Sequence, residues 1–238
     1  MNSNSPSQTT ALPTLGFADE WLMWQLADSA FPTGGFAHSG GLEAAVQTGA
    51  VPDVAALEAF CRVSLTQLAR QSLPLLRAVH AEPERLPTVD RQCEAMLSNH
   101  VANRASRSQG RALLLAAERA FAHGRPAVGR LRDRVRQERL PGHLAPLFGA
   151  VAAAMGLDGE ASARLFTFTA TRDLISAAVR LNVVGPLQAQ ALQHALGEAA
   201  AAAIAHAPVD AMEAASAAPV LELLQARQDR LYSRLFHS

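Results

Sequence analysis

The chain has 238 residues, enough to bury one sizeable core, and its composition marks no linker between two domains. Its 21 basic and 21 acidic residues balance, which argues against a dedicated nucleic-acid binder or a membrane-surface protein that relies on net positive charge. Every basic residue is arginine, so the chain lacks the lysine that a Walker-type phosphate loop, a Schiff base or a protein-kinase site requires.

Cysteine usage and the first residues indicate where the chain resides. Cys61 and Cys93 stand far apart with no CxxC, which predicts neither a disulfide framework nor a zinc site and suits a reducing cytoplasm. Residues 1–15 are rich in Ser, Asn, Thr and Pro and lack a basic and an apolar region, so we expect a disordered tail rather than a signal peptide. Residues 16–238 are then expected to form one all-helical domain.

The predicted elements follow from helical spacing of apolar residues and from capping residues. Asp19 is placed to cap a first helix that ends near Ala30, in which Trp21 and Trp24 are expected to be core anchors. Further helices are predicted from Asp53, from Ser72, from Thr88 to about residue 100, across 103–114, from His143, across Ala161–Leu181 and 186–206, and from Pro208 to Ala217. No strand signal is present, so the prediction is an all-α bundle of about ten helices.

Residues 28–43 differ from the rest of the chain, because they contain a proline and four glycines where other segments prefer alanine and leucine. Pro32, Gly34 and Gly35 predict a tight turn, after which a second helix is expected from Phe36 to Thr48. In that helix Gly40 and Gly41 would each cost up to about 1 kcal/mol relative to alanine, so they must have another purpose. Small residues four apart, Ala37, Gly41 and Ala45, favour a close helix crossing. His38, Ser39 and Glu43 would form a polar cluster beside it.

The region from residue 104 to residue 139 is strongly basic, with ten arginines and only three acidic residues, an excess of seven positive charges. Arg104, Arg107 and Arg111 are spaced to share one helical face. A solvated surface that keeps the protein soluble and a surface that docks phosphate or an acidic partner remain equally open interpretations.

The C-terminal residues combine types that dominate protein interfaces: Tyr232, Arg234, Leu235 and Phe236. A terminal segment normally frays unless it docks on something. We therefore expect residues 231–238 to be mobile in the isolated protein and ordered in a complex.

Five blocks of sequence resemble the urease accessory protein F (UreF) family. The N-terminal signature, Pro-x-Gly-x-aromatic-x-His-Ser-x-Gly-Leu-Glu, is matched by Pro32, Gly34, Phe36, His38, Ser39, Gly41, Leu42 and Glu43. Later blocks contain Gly110, then His143 with Pro146 and Gly149, and then Arg180 with Gly185, where Pro186 replaces a frequent glutamine. Leu231 to Ser238 is similar to the family's C-terminal signature.

The resemblance implies a cytoplasmic, non-catalytic scaffold for urease maturation, without a stably bound cofactor, that handles nickel only within an assembly. Its implied partners are the accessory protein UreD (also called UreH), the GTPase UreG, apo-urease and a second copy of the chain, with no nucleic acid and no membrane. The expected partner-binding residues are Phe36, His38, Ser39, Glu43, Arg180, Tyr232, Arg234, Leu235 and Phe236. The expected structural residues are Pro32, Gly34, Gly35, Gly40, Gly41, Gly110, Gly149 and Gly185.

Two other functions remain open on the sequence alone. A metal-dependent helical hydrolase would draw on His38, Glu43 and remote histidines, although no two of the eight histidines share a helix face as local metal ligands would. A nucleic-acid binder would use the Arg104–Arg139 face. No metal ligand and no catalytic residue are assigned, because the sequence contains no HExxH, nucleophile elbow or nucleotide-binding fingerprint.

Overall fold

Helices account for all regular structure in the computed structural model, which describes residues 16–238. The first six α-helices are α1 (Phe17–Ala27), α2 (Leu42–Gln47), α3 (Val54–Gln71), α4 (Leu73–Ala81), α5 (Leu86–Met96) and α6 (His100–Phe121). The other six are α7 (Pro126–Gln137), α8 (Leu144–Ala154), α9 (Gly159–Arg180), α10 (Pro186–Ala195), α11 (Gly197–Ala205) and α12 (Pro219–Arg227). Four short 3-10 helices connect them, and no strand occurs in this range. The predicted all-α fold is confirmed. The predicted tail, residues 1–15, lies outside the described residues.

Local sequence signals explain where many helices begin. Asp53, Asn99 and Asp158 cap α3, α6 and α9, each accepting a hydrogen bond from a backbone N–H of the first turn. Five other helices have proline in their first two positions, where the missing N–H costs nothing: α4, α5, α7, α10 and α12. The start of each of these helices is therefore set by residues of its own first turn and not by contacts with distant parts of the chain.

Helix α8 is the central element of the larger core. Its first eight residues after Leu144 are all buried, and it packs mainly against α4 and α6. A Cβ on Gly149 would lie 2.3 Å from the carbonyl oxygen of Leu76, and one on Gly110 would lie 2.3 Å from that of Gly142. Glycine is thus what allows α8 to approach α4, and α6 to approach the turn before α8.

A second buried cluster joins α2, α3, α9, α10 and α12 and includes Phe236 of the C-terminal tail. Cys61 lies in it, and burial raises the pKa of its thiol to about 12, which agrees with a packing role. The tail therefore belongs in part to the core that fixes the relative positions of α2 and α9.

Trp21 and Trp24 are not core anchors. Their exposed fractions are 60% and 57%, because the inward face of α1 consists of Leu22 and Leu26. The two indoles instead contact each other and Phe17, with ring centroids 6.1–6.4 Å apart. The apolar spacing correctly predicts that this segment is a helix. The prediction that its tryptophan-bearing face is buried is wrong.

Several predicted boundaries also change. The segment 186–206 is divided at Leu196 into α10 and α11. Between Pro208 and Ala217 only the 3-10 helix Ala211–Glu213 forms, because Asp210 closes a tight turn by accepting from Met212 N. The fifth helix begins at Leu86 rather than at Thr88.

Candidate protein-binding site

The glycine-rich segment forms an irregular turn rather than the start of a helix. Gly35–Ala37 is a 3-10 helix, His38 is extended, and α2 begins only at Leu42. The predicted helix from Phe36 to Thr48, and the stripe of small residues along it, are therefore wrong. The turn leaves the backbone of residues 37–39 free to form hydrogen bonds with the C-terminal residues.

Three glycines of this segment adopt left-handed backbone angles, with φ of 78° at Gly34, 62° at Gly40 and 92° at Gly41. A side chain at such angles is strained. Gly35 has another constraint, because a Cβ there would lie 1.9 Å from Oδ2 of Asp173 on α9. These conformations explain why glycines that would weaken a helix are present. Gly185, in contrast, has open space around it, and Pro32 is exposed at the turn.

The C-terminal tail, residues 231–238, folds back onto this turn. Glu43, only 2% exposed, accepts hydrogen bonds from the backbone N–H groups of Leu235 at 2.6 Å and Phe236 at 3.2 Å. The side-chain amide of Gln228 donates to the same carboxylate at 2.5 Å. Three donors thus replace the water that the buried carboxylate has lost.

The last residues are bound by the backbone and side chains of the turn. The N–H and the hydroxyl of Ser39 donate to the carbonyl oxygen of Ser238 at 2.5 and 2.9 Å. The ring of His38 lies 2.6 Å from the hydroxyl of Ser238, and the N–H of His237 donates to the carbonyl of Ala37. Burial, with His237 and Arg104 nearby, lowers the pKa of His38 to about 4, so this imidazole is neutral at physiological pH.

Arg180, at the end of α9, stacks between two aromatic rings. Its guanidinium carbon lies 3.7 Å from the ring centroid of Phe36 and 4.3 Å from that of Phe236. It also donates to the carbonyl oxygen of Phe36. A planar cation between two π-faces links the turn, the tail and α9 in one stack.

Asp229 holds the other side of the tail against α6. Both terminal nitrogens of Arg104 donate to its carboxylate at 2.8 and 3.1 Å, and Arg234 and His100 approach it at 3.2 Å. The Arg104 guanidinium is the main reason that the pKa of Asp229 lies below its ordinary value. Arg234 therefore has an acceptor within its own chain.

An apolar surface remains above these contacts. Tyr232 is fully exposed, and Phe36 and Leu235 are 64% and 51% exposed. We refer to Phe36, Tyr232 and Leu235, together with Arg180, which stacks on Phe36, as the tail surface. Exposed aromatic residues beside an arginine are the types that carry most of the binding energy in protein interfaces.

The structure brings most of the predicted partner-binding residues together, but it divides their tasks. One group is buried and holds the tail in place: Ser39, Glu43 and Phe236. The other group is exposed to solvent: Phe36, Tyr232, Arg234 and Leu235. The sequence predicts that residues 231–238 are mobile in the isolated protein, whereas in the structure Glu43, Ser39 and Asp229 all bind them. Sequence analysis missed Gln228 and Asp229, and neither lies in a recognisable pattern.

A buried polar network near α8 was also missed. His143, with no exposed surface, donates its Nε2–H to the carboxylate of Glu94 on α5 at 2.7 Å, and its Nδ1 lies 3.2 Å from the hydroxyl of Ser106 on α6. Asp90 accepts from the backbone N–H groups of Gly142 and His143 at 2.8 Å each. These contacts pin the start of α8 to α5 and α6.

Among residues 16–238, no three His, Cys, Asp or Glu side chains converge so that they could hold a metal ion. None of the helices in that part of the chain is long and apolar enough to cross a membrane.

His38 and Glu43, on which a hydrolase would depend, both form hydrogen bonds with the C-terminal region. Half of the ten arginines in the basic region are bound to carboxylates or carbonyls of the same chain: Arg104, Arg107, Arg125, Arg132 and Arg134. The hydrolase and nucleic-acid alternatives therefore have no support.

The chain is similar to proteins of one family along most of its length. The family model described as UreF matches residues 51–197. Urease accessory protein F of Oryza sativa subsp. indica is 39% identical over 224 residues, covering 91% of this chain and 84% of that protein. The protein of the same name from Arabidopsis thaliana is 38% identical over 223 residues, covering 92% of each. Urease accessory protein UreF of Mycobacterium bovis (strain BCG / Pasteur 1173P2) is 31% identical over 214 residues, covering 90% of this chain and 96% of that protein. These matches confirm the resemblance seen in the five sequence blocks, and the chain belongs to the UreF family of urease accessory proteins.

Proposed function

We propose that this chain acts as a non-catalytic scaffold that assembles with other urease accessory proteins during maturation of the urease metallocentre. The observation that carries the proposal is the tail surface, where Phe36, Tyr232 and Leu235 remain exposed although Glu43 anchors the tail and Arg180 stacks on Phe36. Large apolar groups that a chain fixes in place and leaves in water are typical of a protein-binding surface.

The proposed partners are a second accessory protein of the UreD (UreH) type, the GTPase UreG and apo-urease, with a second copy of the chain completing a dimer. Nickel is the cargo of this assembly, and no stably bound cofactor is proposed for the chain itself. Since the sequence contains no lysine, a phosphate-loop lysine for GTP hydrolysis has to come from a partner. The proposed location of the assembly is the cytoplasm, without a nucleic-acid or membrane partner.

The anchoring of the tail supports a preorganised interface. Glu43 and Ser39 fix the backbone of residues 235–238, and Arg180 fixes the rings of Phe36 and Phe236. A partner would then bind Tyr232 and Leu235 without first ordering the segment, which reduces the entropic cost of association. Each buried hot-spot residue would contribute roughly 2 kcal/mol or more.

Co-purification with the second accessory protein tests the proposal. Tyr232→Ala with Leu235→Ala removes two exposed side chains from the tail surface. Leu187→Ala with Leu223→Ala is the matched control, since these leucines are 89% and 67% exposed on other helices. We expect the tail-surface variant to lose the complex while its melting temperature stays near that of the control. Equal retention of the complex by both variants would refute the proposal.

A further inference from the structure

Helix α6 forms one wall of a groove that is rich in cationic and polar groups and lies beside, but outside, the tail surface. The residues that line it from α6 are His100, Asn103, Arg104, Arg107, Ser108 and Arg111. We call this the arginine groove. Its three arginines occur at intervals of three and four residues, so they follow one another along the helix at about one turn, roughly 5.4 Å apart.

The arginine groove contains fewer carboxylates than cations. Glu94 is the one acidic residue among those that line it, and its carboxylate is bound to His143 at 2.7 Å while Arg107 lies farther off at 3.7 Å. Within residues 16–238 no carboxylate lies within 4 Å of the Arg111 guanidinium. The stem of Arg111 packs across Gly142, where a Cβ would lie 3.2 Å from its Cγ. The groove therefore presents a positioned cation without a partner.

One end of the groove already binds a carboxylate. Asp229 receives two hydrogen bonds from Arg104 and one from His100, in the bidentate arrangement that guanidinium and carboxylate groups prefer. At the other end, within the described residues, Arg111 has the same chemistry without a carboxylate ligand, and Arg107 is paired only with Glu94, at 3.7 Å.

We propose that the arginine groove is a docking site for an acidic segment of a partner protein, with Asp229 occupying its Arg104 end in the isolated chain. Alternate residues of an extended segment point to one side at intervals of about 6.6 Å, which is close to the spacing of the arginines along α6. An extended peptide with glutamate or aspartate at alternate positions thus matches the groove. The incoming carboxylates compete with Asp229 for Arg104.

A protein segment fits this groove better than a nucleic acid. The one aromatic ring among the lining residues is that of His100, which is already bound to Asp229, and the whole chain is electrically neutral. The carboxylate already bound by Arg104 shows which anion the geometry accepts. This inference does not rest on the function proposed for the tail surface, because it concerns binding by the isolated protein.

Fluorescence anisotropy of a labelled eight-residue peptide of alternating glutamate and glycine, titrated with the full chain at low salt, tests the proposal. Arg107→Gln with Arg111→Gln removes the two arginines of the groove that do not bind Asp229. Arg130→Gln with Arg136→Gln on α7 is the matched control, since it removes the same charge from exposed arginines. We expect the groove variant to bind at least tenfold more weakly than the wild type and the control to change less than twofold.

Asp229→Asn supplies a test in the opposite direction, because it removes the competing carboxylate and should tighten peptide binding severalfold. Equal weakening by the two double variants would overturn the proposal, since binding would then follow net charge alone. No binding of the peptide by the wild type, no gain in Asp229→Asn, or tighter binding of a single-stranded oligonucleotide of matched charge would overturn it as well.

Discussion

A buried carboxylate is tolerated when donors replace the water around it, and Glu43 has three such donors from the tail region. Glu43→Ala would leave the N–H groups of Leu235 and Phe236 without an acceptor, at a cost of about 2 kcal/mol. For a chain of this size we expect a melting temperature about 4–8 °C lower.

The control for that change is Glu58→Ala, which removes a carboxylate from an exposed pair with Arg62 on α3. Exposed pairs within a helix contribute about 0.3–0.5 kcal/mol, so its melting temperature should fall by no more than about 2 °C. Equal losses in the two variants would show that the tail does not depend on Glu43.

His38 should make the tail sensitive to acid. Because its pKa in the folded protein is about 4 and its ordinary value is 6.5, the unfolded chain binds more protons between these values. The stability contributed by neutral His38 is complete above about pH 6.5 and is lost as the pH falls towards 4. Partial exposure reduces the effect between pH 7 and pH 5 to about 1 kcal/mol.

Thermal unfolding at pH 7 and pH 5 measures this contribution. The wild type should lose about 2–4 °C more between these two pH values than His38→Gln does. His194→Gln, a change at an exposed histidine of α10, should keep the wild-type dependence. The same dependence in His38→Gln and the wild type would contradict the assignment.

At the scale of the elements, the closest approach of α8 to α4 depends on a single glycine. Gly149→Ala would place a Cβ 2.3 Å from a backbone oxygen of α4, which cannot move without displacing the helix. Overpacking of this kind costs typically about 1–3 kcal/mol, so we expect a melting temperature at least about 2 °C lower.

Gly197→Ala is the comparison variant, for which we expect the free energy of unfolding to rise instead of fall. It has open space around it at the start of α11, and replacing a helical glycine with alanine stabilises by about 0.5–1 kcal/mol. Urea unfolding of both variants gives the two free-energy changes directly. A stabilised Gly149→Ala variant would contradict the packing described for α8.

Helix existence could be predicted from the sequence because its signals are local. The caps Asp53 and Asp158 and the prolines that begin α4 and α10 lie within a turn of the boundaries they set. Which face of α1 is buried could not be predicted, since large apolar residues occur on both faces and only the neighbouring helices decide between them. The same limit explains the error at Trp21 and Trp24.

At the scale of the whole molecule, the tail shows what local patterns omit. Leu235 and Glu43 are 192 residues apart in sequence, and His38 and Ser238 are 200 apart. The residue types on both sides favour an interface, and the structure brings most of these residues together. The sequence did not predict that the two segments bind each other, because hydrogen bonds between such distant segments produce no periodic pattern in the sequence.

The role proposed for this chain is to promote urease maturation by binding other accessory proteins through the tail surface, not by catalysis. Activation of apo-urease by nickel should then be measured in a reconstituted mixture as the concentration of this chain is raised. We expect Tyr232→Ala with Leu235→Ala to shift the half-maximal concentration at least tenfold higher and to reach the wild-type plateau, because mass action restores a weakened complex. A lower plateau at an unchanged half-maximal concentration, or a curve identical to that of the wild type, would contradict the claim.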